Sequence, residues 1–109
     1  MANTPSGDRV FEPTTESSAV TQMADAYHVR ASYAPNRGKV RYRYPSSLIN
    51  PQSRVFISVS EGQGATKFVG AASMTVENVA AGNGEVQFRV FIDWPSNLGM
   101  VADFFWVNP

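Results

Sequence analysis

Cysteine is absent from the 109 residues. That removes disulfide frameworks, thiolate metal sites and cysteine nucleophiles from consideration. Histidine occurs once, at His28, and the Lys+Arg and Asp+Glu counts are both nine, so the formal net charge is zero. Neither polyanion binding nor membrane-surface binding follows from a balanced total. No apolar run approaches the roughly 18 residues of a membrane-crossing helix. The polar start "MANTPSGDRVFE" lacks the basic and then apolar halves of a secretory leader. The expectation is a soluble chain without a membrane span, with cytoplasm the favoured compartment.

What is present fits an ordinary globular domain: 43% hydrophobic and 17% charged residues. Residues 1–18, rich in Thr, Ser and Pro, read as a loosely held N-terminal arm. Residues 19–109 read as one domain, large enough to fold around a single core without staples. Charge is unevenly spread. Residues 26–60 contain Arg30, Arg37, Lys39, Arg41, Arg43 and Arg54 and no acid, whereas the flanks hold three cations and all nine acids.

Between Ser18 and Tyr27 the apolar positions Val20, Met23, Ala24 and Tyr27 fit a helical spacing, which allows one short helix. From Tyr27 onward the period is two, as in strands with one buried face. With Pro35–Gly38 as a loop, Tyr33 would oppose Val40, Ala31 would oppose Tyr42 and Val29 would oppose Tyr44. The other face of this hairpin would then bring Arg30 beside Arg43. Residues 54–60 and 67–79 would pair through "EGQGAT", matching Val59 with Phe68, Ile57 with Gly70 and Val55 with Ala72. "AAGNG" would set Val76 against Phe88 and Met74 against Val90. "PSNLG" would set Trp94 against Met100, Ile92 against Ala102, Val90 against Phe104 and Phe88 against Trp106. The expected fold is all-β, an antiparallel β-sandwich or a small β-barrel of about six to eight strands.

No catalytic, metal or cofactor site is expected. His28 has no serine, carboxylate or second histidine nearby in sequence to orient or use it. "EGQGATK" lacks the GK[ST] ending and following helix of a phosphate-cradling loop. Asp93 and Asp103 fall on adjacent segments without a third oxygen ligand. The expected function is a non-catalytic module for binding or assembly that self-associates as a homo-oligomer.

Three patches could serve it. Arg30, Lys39, Arg41 and Arg43, on "GKVRYRYP" and the strand before it, could bind an anionic glycan or an acidic protein partner. Nucleic acid is disfavoured, since no RNA- or DNA-binding signature accompanies the patch. The bland reading is a hydrated strand edge. Asp93, Trp94 and Asn97 in "DWPSN" form the alternative carbohydrate-binding set of a lectin. Finally, Phe56, Phe91, Val101 and Phe105, together with Val69, Ala71 and Val107, fall on the side of each strand opposite the core. They are the candidate self-association surface, unless residues 8–27 cover them. A purely structural subunit of a larger assembly remains an alternative.

Overall fold

The structure, a computed structural model, describes residues 9–16 and 20–109. Its strands are β1 (Val10–Phe11), β2 (Thr15–Glu16), β3 (Thr21–Met23), β4 (Ala26–Asn36), β5 (Gly38–Pro45), β6 (Arg54–Gln63), β7 (Thr66–Lys67), β8 (Ser73–Gly82), β9 (Glu85–Asp93) and β10 (Leu98–Val107). The first sheet runs β1-β5-β9-β8 and the second β2-β4-β10-β6-β7, with β3 also beside β4. Every pairing is antiparallel except that of β1 with β5. The fold is therefore all-β, two facing sheets of which one curls toward a half-barrel.

Alternation sorts the side chains as expected. Val29, Ala31, Tyr33, Val40, Tyr42, Tyr44, Val86, Phe88, Val90, Ile92, Met100, Ala102, Phe104 and Trp106 all lie in one core. The pairing differs from the expected hairpins. β4 pairs with β10, and β5 pairs with β9, so "APNRGK" is a corner between sheets. Tyr33 does not hydrogen-bond across a ladder to Val40. Instead its ring meets Tyr42 edge-on at 4.8 Å across the core. β9 and β10 likewise face one another from opposite sheets, with Phe88 and Phe104 ring centroids 5.5 Å apart. Gly38, at φ 76°, allows the sharp change of direction between layers with no Cβ penalty.

β6 and β7 do form a hairpin, but only Gly62 with Lys67 and Gln63 with Thr66 pair. The chain then leaves the sheet, and the expected matches of Val59, Ile57 and Val55 with Phe68, Gly70 and Ala72 do not occur. β6 pairs with β10 instead, Val59 lying opposite Ala102 and Ile57 opposite Phe104. The β8–β9 hairpin exists, shifted in register. Gly82 pairs with Glu85, Val79 with Phe88, and, past a bulge at Asn78, Val76 with Val90 and Met74 with Ile92. The loop is the two residues Asn83 and Gly84, a strong short-hairpin signal, rather than five.

The helical reading of Ser18–Tyr27 is overturned over its described part. Thr21–Met23 is a strand folded back on Ala26–His28 by a turn at Ala24 and Asp25, with Ala24 at φ 57°. Ten residues gave too short a window for a helix period to outweigh a tight hairpin. Part of the expected arm is also held in place. β1 pairs with β5 and β2 with β4, Thr14 donates from its backbone N to Ser32 O at 2.8 Å, and Arg43 donates to Glu12 at 2.9 Å. Residues 1–8, 17 and 18 of that arm lie outside the described residues.

Candidate functional site

The second sheet turns one face to the core and the other outward. Because paired residues share a face, the outer face of β4-β10-β6 is laid out in three rows: Ser32–Val101–Ser60, Arg30–Asp103–Ser58 and His28–Phe105–Phe56. The first row is covered. Val101 is fully buried, packed on the Gly62 backbone, where an added Cβ would come within 2.6 Å of its side chain. The expectation of Val101 on an open surface is thereby corrected, because the β6–β7 hairpin folds back over it.

The second row is an ionic cluster. Asp103 accepts from Arg30 Nε at 2.6 Å and Nη2 at 3.1 Å, and from Lys67 Nζ at 2.7 Å. Arg30 Nη1 also donates to Ala65 O at 3.2 Å. Burial pushes the Asp103 carboxyl up, but hydrogen bonds and charge from Arg30 and Lys67 outweigh this and hold it below the usual carboxylate range. Arg30 and Lys67 thus converge on one carboxylate. The cluster also ties the 65–67 segment over the sheet.

The third row is open. Phe56 is 63% exposed and Phe105 39% exposed, with ring centroids 6.3 Å apart. Together with His28, Arg30, Ser58, Ala65 and Asp103 they line a groove of ≈ 740 Å³. Its aromatic floor and one charged end suit an apolar surface with an acidic fringe. The His28 side chain is exposed at this open end. Among the described residues no cluster of His, Cys, Asp or Glu could hold a metal.

The expected basic patch is divided between the two outer faces. Arg30 lies on the second sheet, whereas Lys39, Arg41 and Arg43 lie on the first, so Arg30 and Arg43 are not neighbours. Arg43 is held by Glu85 and Glu12, and Lys39 stands 3.8 Å from Glu77. Arg41 lies directly opposite Arg89. Phe91 is also on the first sheet, between Lys39 and Thr75, apart from Phe56 and Phe105. Asp93, Trp94 and Asn97 are all exposed and share the corner between β9 and β10.

The sequence reading missed Asp103 as the partner of Arg30 and Lys67 as a second donor to Asp103. The pairs are 73 and 36 positions apart, and no local pattern joins them. In comparisons with family models, curated proteins and solved structures, no match to this chain was found.

Proposed function

We propose that this chain is a non-catalytic assembly module that self-associates through the outer face of β4-β10-β6. The observation that carries this reading is the Phe56–Phe105 pair, two neighbouring rings turned to water on a sheet face. Their exposure costs roughly 25 cal/mol per Å² of apolar surface, which a partner surface recovers. Self-association by a two-fold operation is the commonest arrangement for such a face.

Light scattering tests it. Wild-type protein should show a multiple of the monomer mass, and the double variant Phe56→Ser/Phe105→Ser should return to the monomer mass while keeping its circular dichroism. Wild-type protein that stays monomeric up to its solubility limit would sink the reading.

One observation favours a second reading for the opposite face. Lys39, Arg41, Arg43 and Arg89 share the outer face of the first sheet, with Glu77 opposite Arg89 and Glu85 and Glu12 on Arg43, and guanidinium forks suit sulfates and carboxylates. Under this reading the first sheet takes an anionic glycan or an acidic protein. Lys39→Ser/Arg41→Ser should then lose retention on immobilised heparin at low salt; unchanged retention rules it out.

A further inference from the structure

Asn83 is the one asparagine of this sequence that is followed by glycine. Asparagine is among the chemically labile residues, and most so in this setting, because glycine places no side chain beside the nitrogen that attacks it. The two residues form the whole loop between β8 and β9, with Gly82 paired to Glu85 beneath it. Asn83 is exposed to water.

The reaction needs only hydroxide and water. The Gly84 backbone nitrogen gives up its proton and attacks Asn83 Cγ. The bond from Cγ to the side-chain nitrogen breaks and ammonia leaves, which closes a five-membered imide. Water then opens the imide at either carbonyl, leaving aspartate or isoaspartate at position 83.

The fold holds the attacking residue. Gly84 N donates to Ile49 O at 2.9 Å, and Gly84 O accepts from Ser46 N at 3.0 Å. Both backbone groups of the glycine are therefore committed to the 46–49 loop, and the proton that must leave sits in a hydrogen bond. That loop is itself anchored. Ile49 is 1% exposed within the core, and its N donates to Ser46 O at 3.1 Å. Leu48 O accepts from Trp106 Nε1 at 3.1 Å and from Asn108 Nδ2 at 2.9 Å.

We infer that Asn83-Gly84 is a deamidation site gated by the 46–49 loop, inert while Gly84 is bonded to Ser46 and Ile49 and reactive when the loop lets go. A loop of this size opens locally without unfolding the sheets behind it. The product alters the turn that sets the β8–β9 register, since isoaspartate routes the main chain through one extra carbon. The reaction needs one chain only, so it is independent of self-association.

Peptide mapping by mass spectrometry of the full chain, held at mildly alkaline pH, tests the gate. In the guanidinium-unfolded chain position 83 should convert to a mixture of aspartate and isoaspartate, and Asn83→Gln should abolish conversion there. In the folded chain conversion should be at least about tenfold slower, as for any group that reacts only from an opened state. Asn108→Ala removes one anchor of Leu48, and Ser46→Ala removes the hydroxyl that accepts from Leu48 N. Each should speed conversion several-fold with circular dichroism unchanged; if one variant loses its fold, the other carries the test.

No conversion in the unfolded chain would overturn the site. A folded chain that converts as fast as the unfolded one would overturn the gate. Folded variants that convert no faster than wild type would overturn the role of the 46–49 loop. So would rates that equal, in wild type and variants alike, the unfolded rate multiplied by the globally unfolded fraction from urea titration.

Discussion

Two tyrosines in the core show how little a buried hydroxyl's location says about its worth. Tyr33 OH donates to Arg43 O at 2.9 Å. Tyr42 OH is buried with no hydrogen-bond partner among the described residues, and burial, against a smaller lowering by the Asn36 amide, pushes its pKa up to about 12. Removing a satisfied hydroxyl loses a bond, whereas removing an orphaned one relieves a desolvation cost. Tyr33→Phe should cost about 1 kcal/mol in urea unfolding, and Tyr42→Phe should leave stability unchanged or raise it.

Asp103 supplies a pH dependence. Its folded pKa lies below the unfolded one, so its ion pairs contribute stability above the ordinary carboxylate range and lose it as pH falls through the folded value. With about a third of the side chain in water, the contribution is below about 1 kcal/mol. Asp103→Asn should be less stable than wild type at neutral pH and approach it in acid. A stability difference that stays constant across the acid range would contradict this.

At the scale of strands, turn chemistry decides register. Gly84 sits at φ 87° in the β8–β9 turn, and a Cβ added there would meet nothing. The cost of Gly84→Ala is therefore backbone strain alone, about 1 kcal/mol, read as a lower urea midpoint with unchanged m-value.

Asn78, at φ 51°, makes the bulge that shifts pairing between Glu77 and Val79. A bulge on β8, an edge strand of its sheet, also discourages pairing with foreign strands. The dipeptide Asn83-Gly84 stands in "AAGNG", a two-residue turn signal, yet the expected register took all five residues as the loop and so slipped by two. The bulge had no comparable sequence mark, since Asn adopts both signs of φ readily.

For the molecule as a whole, stability depends on rings that meet between sheets. Phe88 packs against Tyr42 of its own sheet at 5.6 Å, and against Tyr33 at 6.0 Å and Phe104 at 5.5 Å from the opposite one. Phe88→Ala should cost about 3–5 kcal/mol, measured as a large drop in urea midpoint. The N-terminal segment closes one side of the slab, since β1 lies beside β5 and β2 beside β4. Val55, Ile57 and Val59 on β6 and Met74 on β8, at the other side, are only partly buried.

Alternation along each strand determined which residues go inside, because burying one face of a pleated strand fixes the fate of every second side chain. Tyr33, Tyr42, Phe88 and Phe104 were all legible as core. Partners were decided only by the tertiary structure. Two strands present the same alternation whether they lie edge to edge in one sheet or stack face to face in two, so the period cannot tell a hairpin from a corner. That choice gave Arg30 to Asp103 instead of Arg43, buried Val101, and brought Phe105 beside Phe56.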